Sequence, residues 1–313
     1  MENDKLPYIS IIITAYNRKE FLLNAIKSVL NQTINKKYYE IIVITNFRDE
    51  SIDDFINANK IKHILMDGTL GEFLYKGALA AKGEIISFLD DDDLFFKDKL
   101  DIVYKEFKKD IDIVYYHNLG VSINENGKTI IINSIQTVPD FNMSSISIKK
   151  SIITINNVDK ISALPDTLMY LFALESNKKI IRGKEKLTYY TFHNSTSNIV
   201  ATNFEEYRKF MITTSNLHLN NLILFKDLFH SKKAINYINS RITSIQILKY
   251  IYGLNEKPRN LINYITNIRS LDNLKTRVAF ILLYPLTKVY PKSRKYISNK
   301  IWSTYRKSFN DSI

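Results

Sequence analysis

Apolar and polar positions in the first ninety residues alternate between two periods. Ile9, Ile11, Ile12 and Ile13 make a nearly continuous apolar run across residues 8–13, the pattern of a parallel strand covered on both faces. After a turn at 14–18, the residues Phe21, Leu22, Ala25, Ile26, Val29 and Leu30 recur at helical spacing and predict a helix over 19–31. The same reading gives a strand at 40–44, a helix at 52–58 and a strand at 61–66. A loop at 68–71, a helix at 72–81 and a strand from Ile85 to Asp90 follow. This βαβαβαβ order predicts a parallel sheet with helices on both faces. Ligands in such sheets sit outside the carboxyl ends of the strands, so Tyr16, Asn46 and Asp90 are expected near one another.

Downstream, helices are predicted at 98–107 and 166–176, and strands at 111–116, 145–148 and 187–192. Residues 119–135 read as a hairpin turning at Asn124-Glu125-Asn126-Gly127. From residue 202 the pattern is helical throughout: 204–213, 217–230, 235–252, 258–270, 272–290 with a kink at Pro285, and 293–309.

The strand ending at Asp90 runs into four carboxylates, Asp90-Asp91-Asp92-Asp93. Adjacent acids repel, and a hard divalent ion such as Mg²⁺ or Mn²⁺ relieves them, taking one or two carboxylates plus substrate phosphates. Taken alone, the run reads equally well as a solvated acidic loop or an Asp-rich helix start.

Ser10 to Arg18, Ala25 to Thr33, Glu40 to Ile44, Ala81 to Asp93, Leu164-Pro165-Asp166 before a helix, and Tyr190-Thr191-Phe192-His193 before a polar loop follow one another along the chain. This ordered set of motifs resembles the family 2 glycosyltransferases. Together the motifs span about 200 residues. The resemblance implies an α/β GT-A fold, a Rossmann-like, mostly parallel sheet with flanking helices over residues 1–200. A helical region over 201–313 follows it. It also implies an inverting transferase with a nucleotide-diphosphate sugar donor, UDP- or GDP-linked, and Mg²⁺ or Mn²⁺. Asp90 and Asp92 match the two acids of the family's DXD motif, Asp92 as direct metal ligand and Asp90 as a contact to the ribose or, through water, to the metal. Asp93 would orient its neighbours. Asp91 falls among the donor-contacting positions, although simple solvation suits it better. Thr14, Ala15, Tyr16, Arg18, Asn46 and Lys76 are the other donor contacts implied. Asp166 matches the base that takes the acceptor proton, and helix capping is its plain alternative. His193 matches a histidine that touches the diphosphate or metal, or else bonds to local hydroxyls. Two departures stand out. Thr45-Asn46 replaces the Asp pair that contacts the base, and Phe73-Leu74-Tyr75 replaces Ala-Arg-Asn, so Lys76 or Arg18 would have to supply the missing charge near the diphosphate.

Composition adds three constraints. There is no cysteine, which excludes disulfides, thiolate metal sites and cysteine catalysis. Residues 1–7 are polar and predict no signal peptide, and no run is apolar and long enough for an ordinary membrane span. The net charge of +12 sits almost wholly beyond residue 200: from Ser231 onward there are sixteen Lys or Arg and three acids. The apolar stretch 278–286, flanked by basic residues and by Tyr284, Tyr290, Tyr296 and Trp302, suits a helix lying in a membrane surface; a helical bundle with a solvated basic face is the alternative. The expectation is a protein peripheral on the cytoplasmic face, acting on a glycan or polyprenyl-linked acceptor, without nucleic acid as partner. Two other functions fit the same residues: a non-catalytic sugar- or nucleotide-binding protein of this fold, and a nucleotidyltransferase.

Overall fold

β1 (Ile9–Ala15) is the strand on which the first half of the molecule is built. In the computed structural model, which describes residues 7–124, 126–129, 142–154, 158–192, 201–254 and 274–310, its Ile9, Ile11, Ile12 and Ile13 are at most 1 % exposed. Each such side chain contributes about 1.5–3 kcal/mol on burial. Ile9, Ile11 and Ile13 pack with α1 (Leu22–Leu30), α2 (Glu50–Ala58) and α4 (Lys99–Lys109). Ile12 meets Gly77 of α3 (Leu70–Ala80). The other strands are β2 (Tyr39–Thr45), β3 (Lys62–Leu65), β4 (Ile85–Asp90), β5 (Leu94–Phe95), β6 (Ile113–Asn124), β7 (Ile146–Lys149) and β8 (Lys179–Phe192), with α5 (Pro165–Glu175) before the last. They form one sheet in the order β3-β2-β1-β4-β7-β6-β8-β5. The β3, β2, β1 and β4 pairings are parallel. β7 turns the sheet antiparallel against β4 and β6, and β5 pairs antiparallel with β8. The predicted α/β architecture is met. Ala15 lies opposite Thr45 and Thr14 opposite Asp90, so the register brings three strand ends level.

Several boundaries differ from the sequence reading, each for a local reason. α3 starts at Leu70 because Thr69 and Glu72 form a reciprocal capping box, Glu72 Oε2 accepting from Thr69 N at 2.7 Å. The turn into β4 presses on β1 at Gly83, where a Cβ would stand 2.7 Å from Ser10 N. β6 continues past residue 116 to Asn124, so His117 lies mid-strand and buried. The turn at Gly127 forms, with φ +76° and a bridge between Ile123 and Thr129; the rest of the expected hairpin lies outside the described residues. β8 begins at Lys179 rather than 187, because Lys179, Arg182, Gly183 and the charged run Lys184-Glu185-Lys186 mask a strand there. The two-residue β5 is too short to carry a periodic signal.

Contacts divide the chain into one unit of Met1–Val121 with Phe141–Thr191 and a second of Ser122–Asp140 with Phe192–Ile313. The described core of the second unit is helical: α6 (Phe204–Lys226), α7 (Lys232–Ile251), α8 (Leu274–Val289) and α9 (Ser293–Asn310). α6 is one helix where two were expected. The low-propensity stretch Thr213-Thr214-Ser215 is carried through, with Ser215 buried, as tertiary packing overrides propensity. The helix expected at 258–270 lies outside the described residues. α9 packs on α6, α7 and α8, and Ile247, Tyr250, Ile251, Tyr284 and Ile297 form a shared core. Among the described residues no helix is long and apolar enough to cross a membrane.

One pH dependence follows from α6. Burial, with Arg241 adding to it, pulls His218 down to about 4. The unfolded chain, with an ordinary His pKa near 6.5, then binds more protons between those values, so stability is full above about pH 6.5 and falls as the pH drops toward 4. The loss reaches at most about 3 kcal/mol. Chemical denaturation from pH 7 to pH 4.5 should show a slope that His218→Gln flattens; an unchanged slope contradicts the assignment.

Candidate functional site

The loops after β1, β2 and β4 are tied together by side chains. Asn17 takes a left-handed φ of 54°, which Asn tolerates. Its N–H donates to Asn46 Oδ1 at 2.8 Å, and Asn46 Nδ2 returns a bond to Asn17 Oδ1 at 2.7 Å. Asn46 therefore anchors the β1 loop. It also lines a concavity of about 290 Å³ with Phe47, Arg48, Leu65, Met66 and Asp67 at the ends of β2 and β3. Thr45 is buried and hydrogen-bonded to His63 at 2.8 Å. Thr14 and Ala15 belong to β1 rather than to the turn. Tyr16 is 57 % exposed and rests edge-on against Phe73 at 5.9 Å. Phe73 and Leu74 are buried, so the departure at 73–75 replaces a charged family position with core. Lys76 lies on the exposed side of α3, 5.9 Å from the Tyr75 ring.

The acidic loop is not a solvated run. Asp91 is 5 % exposed and is held by a two-pronged bond from Arg18, Nε to Oδ2 at 2.7 Å and Nη2 to Oδ1 at 2.6 Å. Arg18 Nη2 also reaches Asp92 Oδ2 at 2.6 Å. Asp93 is fully buried, and its Oδ1 accepts from Thr191 N at 2.9 Å. Simple solvation of Asp91 is thereby corrected: Arg18, folded over from the β1 loop, takes the place of water. Bidentate arginine–carboxylate geometry is among the stronger side-chain bonds.

Beneath the loop lies a cation that sequence reasoning missed. Lys99 is fully buried at the start of α4. Its Nζ donates to Ser144 O and, at 3.1 Å, to Thr188 Oγ1, and stands 3.9 Å from the centre of the Phe95 ring. Ser144 Oγ accepts from Asp90 N at 3.0 Å, so the same residue touches both the lysine and the acidic loop. The signal was present: Lys99, Val103 and Phe107 share one helical face, and the last two are apolar.

Electrostatics concentrate on Asp90. Burial, then the charges of Asp92, Asp91 and Asp166, push its carboxyl up to about 8. Burial, with Asp92 and Asp90, holds Asp93 well above the usual carboxylate range. Burial drives Lys99 well below the usual lysine value against the pull of Asp93. Asp166 stands in the first turn of α5, next to Pro165 at the helix start, and its Oδ1 accepts from Thr167 N at 2.6 Å. Its charge acts on Asp90, so the structure brings the end of β4 and the start of α5 into one electrostatic neighbourhood. His193 lies outside the described residues.

The site fits a hard divalent ion by its donor chemistry, since surplus carboxylate charge around Asp90 is what such an ion relieves. Among the described residues no group of three or more His, Asp or Glu stands at metal-holding spacing. If such an ion binds, Asp90 and Asp92 would be the residues to hold it, with substrate oxygens completing the set, as Mg²⁺ commonly allows.

The glycosyl transferase family 2 model matches residues 10–164. An uncharacterized glycosyltransferase of Rickettsia conorii is 39 % identical over 132 residues, covering 39 % of this chain and 20 % of the relative. The chain thus spans about a fifth of the length of that protein and of its two Rickettsia counterparts. Among solved structures, Staphylococcus aureus TarS 1-349 in complex with UDP-GlcNAc superimposes with a TM-score of 0.52 at 14 % identity, covering 97 % of this chain and 92 % of that one. The mannosyltransferase PcManGT of Pyrobaculum calidifontis, in complex with GDP-Man and Mn²⁺, gives 0.56 at 10 % identity, over 99 % and 89 %. These likenesses establish the GT-A fold expected from the sequence.

Proposed function

Because residues 10–164 are a glycosyl transferase family 2 domain, we propose that the chain transfers a glycosyl group, with inversion, from a nucleoside-diphosphate sugar to a lipid-linked or glycan acceptor. The observation that carries this reading is the charge-crowded Asp90, surrounded by Asp91, Asp92 and Asp166 at the carboxyl edge of the sheet. The Asn46 concavity suits the nucleoside, and Thr14, Ala15 and Tyr16, at and just past the end of β1, are proposed as further donor contacts. TarS with UDP-GlcNAc and PcManGT with GDP-Man support the donor class.

Asp90 and Asp92 would hold Mg²⁺ or Mn²⁺, and when bound the ion supplies positive charge to the leaving diphosphate. Arg18, already locked to Asp91 and Asp92, fixes the loop that presents those carboxylates and adds a charge near the diphosphate. In the transfer step an acceptor hydroxyl oxygen bonds to the anomeric carbon as the bond from that carbon to the phosphate oxygen breaks. The electron pair leaves with the nucleoside diphosphate, and the hydroxyl proton passes to an Asp166 carboxylate oxygen. Attack opposite the leaving group inverts the anomeric centre.

The second unit is proposed to rest on a membrane surface. Leu282, Leu286 and Val289 of α8, at 64 %, 45 % and 68 % exposure, form an outward apolar face. Tyr290 and Tyr296 and the lysines 288, 292 and 295 adjoin it in sequence. The test of the transferase reading is product analysis on a panel of acceptors. Release of nucleoside diphosphate with an inverted anomeric signal by proton NMR is the expected result. Release of pyrophosphate would mark a nucleotidyltransferase, and donor binding without product a binding protein.

A further inference from the structure

The second unit carries a concavity of about 310 Å³ whose positive charge the fold only partly uses. Among the described residues, Arg208, Lys292, Arg294 and Lys295 line it against one acid, Glu205. The two arginines have structural work. Arg208 Nε donates to Tyr252 O at 2.6 Å. Arg294 Nε donates to Tyr250 O at 2.8 Å, its Nη2 to Leu254 O at 3.2 Å, and the guanidinium lies 4.1 Å over the Tyr250 ring. Both guanidiniums are thereby fixed at the carboxyl end of α7, where cations are favoured.

Among the described residues, Lys292 and Lys295 make no comparable side-chain bond. Both are exposed, and they flank the start of α9, whose first turn contains no acid. The amide end of a helix already bears partial positive charge, and natural first turns favour Asp or Glu there. Here Arg294 and Lys295 occupy that turn instead, an arrangement that is unfavourable until an anion joins it. Glu205 offsets little, since its side chain is 74 % exposed and paired at 3.3 Å to Arg208. Gly253, at φ +98°, forms part of the wall; a Cβ there would stand 3.3 Å from Arg208 Nη2. Two prepositioned guanidiniums, two exposed ammonium groups and a helix start converging on one concavity make the geometry of a phosphate receptor.

We infer that this concavity binds the phosphate group of a phosphate ester. Its volume leaves room for a small polyol beside the phosphate. The ester is carried by a lipid headgroup or by a soluble polyol phosphate, and the chemistry recognised is the same. The site belongs to the second unit, whereas the proposed donor site belongs to the first, so the two are tested separately.

The test uses the full chain and two probes. Calorimetry with glycerol 3-phosphate at low salt reports the soluble ester. Co-sedimentation with phosphatidylcholine vesicles, with and without phosphatidylglycerol, reports the lipid. The variants are Lys292→Gln/Lys295→Gln and Lys292→Glu/Lys295→Glu, checked for a wild-type melting temperature; because both side chains are exposed, the Gln pair decides if the Glu pair is unstable. The expected result is wild-type binding to at least one probe, weakened about tenfold or more in the Gln pair and further in the Glu pair, and weakened by added salt. Phosphatidylglycerol-dependent sedimentation that glycerol 3-phosphate displaces assigns the site to a lipid headgroup, calorimetric binding without such sedimentation assigns it to a soluble ester, and sedimentation that glycerol 3-phosphate fails to displace belongs to the membrane face of α8 and overturns the inference. Absence of binding to both probes, or equal binding by wild type and variants, overturns the inference. Nucleotide-sugar stabilisation of the variants stays at the wild-type level if the donor site is where it is proposed, so loss of one property without the other shows which reading fails.

Discussion

Asp166→Asn is expected to lower transfer by about 10²- to 10⁴-fold while leaving donor affinity within about twofold, the range typical for removal of a general base. The change keeps the size of the side chain and the acceptor that receives the Thr167 N–H, so α5 keeps its start. It removes the carboxylate oxygen proposed to take the acceptor proton. It also removes one of the negative charges pressing on Asp90, which argues that donor binding is not harmed. Single-turnover assays alongside donor titration separate the two effects. A fall below tenfold, or parallel loss of donor binding, would reassign Asp166 to capping and positioning.

Lys99→Met should destabilise the first unit by about 3 kcal/mol, the sum expected when buried polar partners lose their bonds. The substitution nearly preserves volume, so cavity formation adds little. What is lost is the donor to Ser144 O and Thr188 Oγ1 and a positive neighbour of the buried Asp93. Because Ser144 also receives the Asp90 N–H, the acidic loop should loosen as well, and nucleotide-sugar stabilisation should shrink with it. Denaturant midpoints check the first effect. A midpoint equal to wild type would show that Lys99 sits neutral and idle among its partners.

The parts of the molecule legible in sequence are those whose information is local. β1 and β4 announce themselves as nearly continuous apolar runs, the pattern of a sheet covered on both faces. The acidic loop was legible as chemistry, since four adjacent acids demand compensation. The source of that compensation was not. Arg18 lies 73 residues from Asp91 in the chain, and Lys99 at the head of a helix reads as a solvated charge until its place on the Val103–Phe107 face is considered. Asn46 was expected to read a base edge; its bonds to Asn17 show it also fixing the β1 loop, a long-range pairing that no periodicity reveals. α6 was read as two helices because its Thr-Thr-Ser stretch is weak locally, and packing of the second unit outweighs that weakness.

The most direct test of the central claim is a thermal-shift panel of UDP-, GDP- and dTDP-sugars, with and without Mn²⁺, on wild type and Asp92→Asn. A ligand that binds only the folded state raises its melting temperature in proportion to the logarithm of concentration over Kd. The proposal predicts stabilisation by one nucleotide class, dependent on Mn²⁺ and lost in Asp92→Asn. No stabilisation by any nucleotide sugar, or stabilisation that Asp92→Asn leaves intact, would contradict a donor site at the acidic loop.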